Sequence, residues 1–345
     1  MHDQTAMAAA TQPGPDEILL QASIGFMASA AVSVVANLSI ADHLAGGPRT
    51  SQELAAATGA NEDRLYRVLR STEMLGLVRE VSPRTFALTP VGDLLRSDHP
   101  RSALDIVKWL TEPKHFQCFS ELLWSVRTGE AAASHVLGTP VWEYMQKDKP
   151  FFDLFNRGMT SLSAAAIPAI LDAYDFSGIG TLIEVAGGHG TLLAAILRKH
   201  PNIKGVLFDQ PHVLPGAAQH LTGDLEARSK VVGGNFFEHI PEGDACLMKH
   251  IIHDWHDEPA TQILRNCRNA LASASNPKLL IVDAVVPEGP EPHPSKLADL
   301  EMMVFPDGRE RTAAEFHTLL KNAGFRVLRI IPTKSWVSIV EATIA

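Results

Sequence analysis

The sequence predicts an α/β fold in which a doubly wound, seven-stranded sheet follows a mainly α-helical winged-helix domain. Three observations support this prediction. From residue 179 onward, short β-branched runs alternate with helical segments, which is typical of βαβ units and a mostly parallel sheet. Residues 49–88 follow the order helix, turn, helix, hairpin of a winged helix. The 345 residues also exceed the usual ~100–200 of one domain, so two domains are expected.

The winged-helix segment is marked by its helix ends. Thr50 and Glu53 have the spacing of a capping box, and Asn61 is a good N-cap for a second helix. A glycine ends that helix, and two short runs, Val78–Val81 and Thr85–Leu88, are predicted to pair as a hairpin.

A winged helix raises the hypothesis of DNA binding, and Arg64, Arg67 and Arg70 recur every three residues on the second helix. The charge opposes this hypothesis. Residues 1–100 carry seven arginines, no lysine and eleven acidic residues, a net charge of −4, and the whole chain carries −9. Because DNA binding requires phosphate neutralisation, we expect these arginines on a solvated helix face or in ion pairs between subunits.

One charge-free stretch, Ile18–Ala41, has 24 residues and is long enough to span a bilayer. Ser29, Ser33 and Asn37 recur at i, i+4 and i+8, which places a polar stripe along a helix. We therefore expect a helix whose apolar face a partner subunit buries. That face comprises Ile24, Met27, Ala31, Val34, Val35 and Leu38. Met1–Pro15 is predicted to be a loose tail, and no signal peptide is expected because no basic region precedes the apolar run.

Residues 101–173 are rich in helix formers and aromatic side chains. They are interpreted as a helical connector that packs two domains together, lines a substrate pocket, or does both. The predicted division is an N-terminal domain over residues 1–100, the connector over 101–173 and a sheet domain over 174–345.

The sheet domain is predicted element by element from the alternation of β-branched and helical patterns. The predicted strands are Thr181–Val185, Gly205–Phe208, Val231–Gly233, Ala245–Lys249, Leu279–Val286, Val327–Ile331 and Trp336–Ala342. The predicted helices are Thr191–His200, Val213–His220, Pro259–Ala272 and Thr312–Ala323.

A glycine-rich segment, Glu184–Gly190, ends the first strand of this domain and leads directly into a helix. Glycine lets the backbone turn sharply there and approach a ligand at the helix N-terminus. A dinucleotide fingerprint would need a third glycine, but Gly188 and Gly190 are followed by Leu193. Asp209 ends the second strand, and the acidic residues on both strands favour an adenosine ligand with free ribose hydroxyls.

With these motifs in place, the chain resembles the S-adenosylmethionine-dependent O-methyltransferases of the plant caffeate and bacterial polyketide or phenazine type. Five blocks accompany the glycine loop in family order, and the likeness covers most of the chain. The blocks are Phe208–Val213, Gly233–Phe237, Met248–Trp255, Asp283–Pro287 and Gly308–Phe316. The resemblance implies a Rossmann-like class I methyltransferase fold and an N-terminal domain used for dimerisation.

The resemblance also implies site residues. His253 would be the general base, and Asp283 and Glu310 would orient it. The residues implied for S-adenosylmethionine are Glu184, Gly187, Gly188 and Gly190 at its methionine end, Asp209 at the ribose, and Asn235 and Phe236 at the adenine. Lys249 would lie beside the cofactor, and Gln210 is a further cofactor-binding residue. The residues implied for an aromatic acceptor are Phe151, Phe155, Met159, Asp254 and Met302. The product of the cofactor would be S-adenosylhomocysteine.

Three positions depart from the family pattern. Ala186 replaces the usual first glycine and adds one methyl group close to the cofactor. Asn235 replaces an aspartate, so it keeps a hydrogen-bonding carbonyl and loses a charge. Asp283 stands where plant members have glutamate, and its side chain is one methylene shorter, which weakens its contact with His253.

The requirements of methyl transfer also indicate a general base. A sulfonium methyl group is already activated, so the protein must align a nucleophilic oxygen and remove its proton. A phenol of pKa near 10 and an imidazole near 6.5 leave about 5 kcal/mol of uphill proton transfer unless the transfer is concerted with methyl attack. Carboxylates beside the imidazole would stabilise the imidazolium form.

A zinc site is the alternative role of the histidines, because His250, His253 and His256 recur every three residues. We expect no metal there, since the segment lies where a strand turns into a loop and a zinc site needs closing ligands. The cysteines, Cys118 and two others, are few, scattered and odd in number, which favours a reducing, cytoplasmic setting.

The sequence therefore predicts a cytoplasmic homodimer that methylates a phenolic hydroxyl of an aromatic secondary metabolite. Two alternatives remain: a family member that binds the cofactor but catalyses hydroxylation or cyclisation, and a ligand-binding DNA regulator. The acceptor, the hydroxyl that is methylated and a choice of nitrogen over oxygen are left open.

Overall fold

The computed structural model describes residues 14–345, so the predicted tail lies outside the described residues except at its end, where Pro15 begins the first helix. The chain divides into two compact units, of which the first ends at Glu112 and the second begins at Pro113. This division falls inside the predicted connector, so that its first helix belongs to the N-terminal unit and the remainder to the sheet unit.

The N-terminal unit is mainly helical. Its elements are α1 (Pro15–Asn37), α2 (Ile40–Leu44), β1 (Arg49–Thr50), α3 (Ser51–Thr58), α4 (Glu62–Glu73), β2 (Val78–Ser82), β3 (Thr85–Leu88), α5 (Pro90–Asp93) and α6 (Leu104–Leu110). The predicted helix, turn, helix and hairpin are present as α3, α4, β2 and β3, and β1 pairs antiparallel with β3.

Local hydrogen bonds explain the helix ends of this unit. The Thr50 hydroxyl accepts the Glu53 N–H while the Glu53 carboxylate accepts the Thr50 N–H at 2.7 Å, which completes the predicted capping box. The Asn61 side chain accepts the Arg64 N–H at 3.1 Å at the start of α4. Beyond α4, Gly76 has a φ of +72°, a conformation that glycine adopts without strain.

Helix α1 is long and apolar enough to span a membrane by length and composition. Within the chain only its C-terminal part is buried, at Val35 and Ala36, whereas Met27 is 56% exposed. In the predicted polar stripe the Ser33 hydroxyl donates to the Thr111 carbonyl at 3.1 Å. Burial of the apolar face by a partner subunit stays a prediction.

The second unit begins with five helices that precede the sheet. They are α7 (Pro113–Ser120), α8 (Leu122–Thr128), α9 (Ala132–Leu137), α10 (Val141–Lys147) and α11 (Lys149–Ala173). Helix α11 has 25 residues and is capped by Asp148, whose side chain accepts the Phe151 N–H at 3.1 Å.

The remaining elements alternate strands with helices. They are β4 (Thr181–Val185), α12 (Thr191–Lys199), β5 (Lys204–Asp209), β6 (Ser229–Gly233), β7 (Ala245–Lys249), α13 (Asp257–Ala270), β8 (Lys278–Asp283), β9 (Val285–Val286), α14 (Ser295–Val304), β10 (Arg311–Thr312), α15 (Ala313–Asn322), β11 (Phe325–Pro332) and β12 (Ser338–Ile344). Short 3₁₀ helices cover Leu214–Gln219, Gly223–Arg228 and Ile252–Asp254.

Across this fully described unit, seven strands form one sheet in the order β11-β12-β8-β7-β4-β5-β6. The five strands from β8 to β6 are parallel. Strand β12 is antiparallel to β8, and the edge strand β11 is antiparallel to β12. The predicted doubly wound sheet is therefore confirmed. Strand order reverses between β4 and its neighbour β7, and a ligand crevice is expected at such a switch point.

The core lies on both faces of the sheet, because successive side chains of a strand point to opposite faces. Ile183 and Cys246 pack in one apolar cluster with α13 and α15. Leu182 and Leu247 pack in a second cluster with α11 and α12. The strands β4 and β7 are thus apolar on both faces, as expected for buried parallel strands.

Two predicted elements need correction. The segment Val213–His220 is a 3₁₀ helix over Leu214–Gln219 and not an α-helix, and Gly216 in its middle has a low propensity for an α-helix. The predicted strand Leu279–Val286 ends at Asp283, and β9 leaves the main sheet to pair with β10.

Candidate active site

The glycine loop lies at the switch point, between the end of β4 and the start of α12. Gly188 and Gly190 have φ values of +58° and +72°. A Cβ atom at Gly187 would lie 2.6 Å from Glu184 Oε2, so a larger residue there would have to displace the Glu184 carboxylate. Ala186 has a φ of +54°, so the departure from the family glycine falls on a left-handed residue.

Two acidic side chains hold the loop. Asp209, at the end of β5, accepts the Gly188 N–H at 2.8 Å and the Gln210 N–H at 2.6 Å. Glu184 is buried and accepts the Leu193 N–H of α12 at 3.2 Å. Burial raises the pKa of Glu184 to about 8, and the positive charge of Lys249 opposes that rise.

Lys249 ends β7, next to β4 in the sheet. Burial lowers the pKa of Lys249 to about 8, against the opposing effect of Glu184, Asp283 and Asp254. Side chains of both charge signs therefore meet at one end of the sheet beside the glycine loop. This donor set fits the zwitterionic methionine end of S-adenosylmethionine, which carries an ammonium and a carboxylate.

The residues predicted beside the adenine lie after β6. Asn235 is exposed, and its side-chain oxygen accepts the Phe237 N–H at 3.0 Å. Phe236 is half-buried and packs edge-on against Trp255, with ring centroids 5.9 Å apart. Gln210 is exposed next to Asp209.

His253 lies in the 3₁₀ turn Ile252–Asp254 that follows β7, and its side chain is buried. Its Nδ1 is 2.9 Å from Glu310 Oε1, a hydrogen bond in which we assign the proton to Nδ1. Asp283 Oδ1 is 4.0 Å from the same nitrogen, so Asp283 acts through its charge and makes no hydrogen bond to His253. Asp254 Oδ1 lies 3.6 Å from Nε2 on the opposite side of the ring.

The carboxylates change the basicity of this histidine. Burial alone would lower the pKa of His253, but Asp283, Glu310 and Asp254 together raise it to about 10. Burial also raises the pKa of Asp254 to about 7. Neutral His253 is therefore a far stronger base than an ordinary imidazole.

The histidines predicted as a possible zinc triad do not converge. His256 is exposed and its Nε2 lies 3.1 Å from Asp307 Oδ2. His250, His253 and Asp283 are buried, with ligand-type atoms all within 4.8 Å of one another. Because Glu310 already engages Nδ1 of His253, we interpret the cluster as acid–base machinery, and the expected absence of metal stays a prediction.

The residues predicted for the acceptor lie on α11 and α14 and beside His253. Phe155 is half-buried and packs edge-on against Trp142 at 5.8 Å. Trp142 in turn lies parallel to Trp255 at 6.4 Å, and Trp255 packs against Phe236. The sequence did not single out Trp142, which connects the predicted acceptor side to the predicted cofactor side.

The other predicted acceptor residues differ in exposure. Phe151 is buried edge-on against Tyr144 and is part of the packed interior. Met159 and Met302 are half-buried, and the Met302 carbonyl accepts the Gly308 N–H at 2.9 Å. The carboxylate of Asp254 is the predicted acceptor residue nearest to His253.

The fold and this site together define a class. A seven-stranded doubly wound sheet with a glycine loop on β4, an acidic residue ending β5 and a histidine–carboxylate cluster after β7 is the arrangement of a class I methyltransferase.

Family models agree with that class. The O-methyltransferase domain matches residues 119–326, and the O-methyltransferase dimerisation domain matches residues 20–98. The chain belongs to the O-methyltransferase family, which confirms the predicted family, the predicted fold and S-adenosylmethionine as the cofactor.

The chain is similar to several characterised relatives over nearly its whole length. A phenazine O-methyltransferase of Lysobacter antibioticus is 41% identical, covering 94% of this chain and 95% of that protein. An 8-amino-8-demethylriboflavin N,N-dimethyltransferase of Streptomyces davaonensis is 35% identical, covering 94% of each.

Solved structures show the same likeness. The crystal structure of LaPhzM has 40% identity and a TM-score of 0.90, covering 96% of this chain and 100% of that chain. An O-methyltransferase from neocarzinostatin biosynthesis, in complex with S-adenosylmethionine and 2-hydroxy-5-methyl naphthoic acid, has 32% identity and a TM-score of 0.80, covering 98% and 100%.

Proposed function

We propose that this methyltransferase transfers a methyl group from S-adenosylmethionine to a phenolic hydroxyl of an aromatic secondary metabolite, with His253 as general base. The observation that carries the proposal is the buried hydrogen bond of 2.9 Å between His253 Nδ1 and Glu310 Oε1, beside the glycine loop. It leaves Nε2 of His253 to take the proton of an acceptor.

The cofactor residues support this assignment by their chemistry. Glu184 and Lys249 would hold the charged methionine end, and Asp209 would accept hydrogen bonds from ribose hydroxyls. The remaining cofactor residues are Gly187, Gly188, Gly190, Gln210, Asn235 and Phe236. When bound, S-adenosylmethionine supplies a methyl group already activated by the sulfonium charge.

The basicity of His253 suits a phenol. An ordinary imidazole is roughly 3.5 pKa units weaker as a base than a phenolate. The neighbouring carboxylates raise the pKa of His253 to about 10, which nearly closes that gap. Glu310 holds the Nδ1 proton, and Asp283 stabilises the imidazolium that forms after proton transfer.

The acceptor side favours a flat aromatic molecule. Phe155, Trp142 and Trp255 form a continuous aromatic wall, which supports stacking with such a ring. One relative binds a naphthoic acid, and another acts on an amine as an N,N-dimethyltransferase. We propose oxygen as the nucleophile because a base as strong as His253 is needed to remove a phenolic proton, whereas a neutral aromatic amine attacks through its lone pair before it loses a proton.

The biological unit we propose is a cytoplasmic homodimer. The dimerisation domain covers residues 20–98, which include most of α1 with its exposed apolar side chains. The cysteines Cys118, Cys246 and Cys267 are free and buried, in keeping with a reducing compartment.

The test is a methyl-transfer assay with methyl-labelled S-adenosylmethionine. The acceptors are 3-amino-4-hydroxybenzoate, 1,4-dihydroxy-2-naphthoic acid and 2-hydroxy-5-methyl naphthoic acid, and the label is located by mass spectrometry and NMR. We expect label on a hydroxyl oxygen. Label on the amino group of the first acceptor would contradict the choice of oxygen, and cofactor binding without methyl transfer would favour a hydroxylation or cyclisation reaction.

A further inference from the structure

Arg311, in β10, is the largest fully buried side chain of the described chain, with 1% of its surface exposed. Its guanidinium donates to the Ile252 carbonyl at 2.9 Å and to the Trp255 carbonyl at 2.8 Å. It also donates to Asp257 Oδ1 at 2.8 Å and 3.1 Å. All these contacts lie within residues 252–257, from the turn that carries His253 to the first residue of α13.

The two carbonyls lie on either side of His253 in the sequence, so the guanidinium hydrogen bonds to the backbone before and after His253. Arginine suits this task because its planar group presents several donors in a fixed geometry. Arg311 also follows Glu310 directly in the chain. One side chain therefore connects the backbone that carries His253 to the backbone that carries its hydrogen-bond partner.

Three further contacts dock the same segment. The Arg309 N–H donates to the His253 carbonyl at 2.7 Å, and the Glu310 N–H donates to Asp299 Oδ1 at 2.7 Å. A Cβ atom at Gly308 would lie 2.0 Å from the His253 carbonyl oxygen, so the absence of a side chain lets the two segments touch. Segment 308–311 and turn 252–254 thus form one docked pair.

We propose that Arg311 is a positioning residue for methyl transfer, which holds Glu310 at hydrogen-bond distance from His253 by fixing the docked pair. This inference rests on the proposed role of His253 as the base. Arg311 touches no reacting atom, so it acts through His253.

Four charged or titratable groups surround the His253 ring: Asp254, Asp283, Glu310 and His250. The positive charge of Lys249 acts on His250 and lowers its pKa. Among the hydrogen bonds of the ring, the one to Glu310 fixes which nitrogen carries the proton. If Glu310 moved away, Nδ1 would lose its partner, and the basicity of the ring would fall.

The test replaces Arg311 by lysine, which keeps the charge and loses the planar fork. We expect kcat with the best acceptor of the panel to fall by about 10- to 100-fold, because a small misplacement of a catalytic group costs about that much. KM for S-adenosylmethionine should stay within about twofold, because the hydrogen bonds of Arg311 go to Ile252, Trp255 and Asp257, which are outside the proposed cofactor residues. The matched control is Arg309→Gln, which removes a guanidinium of the same segment that pairs with Glu315 at the surface, and it should leave both parameters unchanged.

A readout independent of turnover is the titration of His253 by NMR with labelled histidine, assigned by the signal lost in His253→Gln. In Arg311→Lys we expect the pKa of His253 to fall by about one unit, which is the effect of weakening one carboxylate contact. If His253→Gln leaves turnover unchanged, the proposed base is wrong, whereas the titration still reports whether Arg311 positions Glu310.

Asp257→Ala covers the case in which Arg311→Lys fails to fold. The Asp257 side chain is 64% exposed, so its removal loosens the guanidinium and leaves both carbonyl contacts in place. We expect a smaller fall in kcat and a smaller shift of the His253 titration than in Arg311→Lys. The melting temperature should fall, because the buried guanidinium loses its carboxylate partner, while the protein stays folded. Unchanged kcat and titration in every variant that folds would overturn the proposal.

Discussion

At the scale of single residues, His253 shows how burial and charge together change the chemistry of a side chain. Its ring is nearly inaccessible, which by itself favours the neutral form, yet three carboxylates lie within 4.0 Å of its nitrogens. Their attraction exceeds the desolvation effect and raises the pKa of His253 to about 10. The same cluster that makes the base strong also keeps it protonated near neutral pH.

This protonation predicts the pH dependence of methyl transfer. Since His253 must be neutral to accept a proton, and its pKa is raised, the active fraction increases with pH up to a value near 10. We expect kcat/KM to rise between pH 7 and 9, measured at saturating cofactor with 1,4-dihydroxy-2-naphthoic acid. A profile that is flat over this range or falls with pH would contradict a raised pKa at the catalytic base.

Ala186 gives a second prediction. It holds a φ of +54°, where an alanine side chain is strained and glycine is not. After allowance for the greater freedom of glycine in the unfolded chain, Ala186→Gly should raise the free energy of unfolding by about 0.5 kcal/mol. Urea unfolding of both proteins measures this difference in the free energy of unfolding. Gly188→Ala, at a φ of +58°, is the matched reverse change and should destabilise; equal stabilities of all three proteins would contradict the strain.

The buried cluster of His250, His253 and Asp283 gives a third prediction. Nδ1 of His253 is engaged by Glu310, so we expect the enzyme to work without a metal ion. Treatment with a strong zinc chelator should leave turnover unchanged, and elemental analysis should find no stoichiometric metal. Bound zinc whose removal abolishes turnover would reverse this interpretation.

At the scale of elements, the sequence predicted the central strands best. Strands β4 and β7 begin and end at the predicted residues. A strand that is buried on both faces of a sheet is a nearly continuous apolar run, and the ends of such a run are easy to recognise in the sequence. Helix α14 was not predicted. Its exposed Leu297 and mixed polar residues leave no clear periodic stripe.

Part of the site could not be predicted from the sequence. Motifs located His253, Glu310 and the glycine loop because each is a local pattern. Arg311 could not be recognised, since its partners are carbonyls more than fifty residues away and every residue has a carbonyl. The distance of 4.0 Å between Asp283 Oδ1 and His253 Nδ1 also depends on how β8 and the turn after β7 pack. The sequence indicated only that the Asp283 side chain is shorter than the glutamate of plant members.

The docked pair of segment 308–311 and turn 252–254 gives a prediction at this scale. Gly308→Ala would place a methyl group against the His253 carbonyl, and we expect it to lower the free energy of unfolding by about 1–3 kcal/mol through overpacking. Turnover should fall together with stability, because segment 308–311 carries Glu310. Gly178→Ala, where a Cβ meets no atom within 4 Å, is the control and should change neither quantity. An equal effect of both changes would contradict the tight docking.

At the scale of the whole molecule, helix α1 connects an early sequence feature to assembly. The charge-free run that could have been a membrane span lies largely in the dimerisation domain of the family. Phe26 and Met27 are 61% and 56% exposed in the single chain, which is costly for large apolar side chains in water. A partner subunit would cover them.

The prediction for assembly follows directly. Phe26→Asp with Met27→Asp should convert the dimer to a monomer at micromolar concentration, because two charges would have to be buried in the interface. Light scattering coupled to size-exclusion chromatography measures the mass. Val231→Asp, an exposed apolar position on the edge strand β6, should leave the dimer intact. A dimer that survives the double change would place the interface elsewhere.

In the proposed reaction, His253 removes a proton from a hydroxyl acceptor during methyl transfer. The most direct measurement compares the wild-type protein with His253→Gln, which keeps a polar side chain and removes the base, using labelled cofactor and the acceptor panel. We expect kcat to fall by about 10²- to 10⁴-fold, the usual contribution of a general base, with binding of S-adenosylmethionine within about twofold of wild type. A variant that methylates at the wild-type rate would contradict the account.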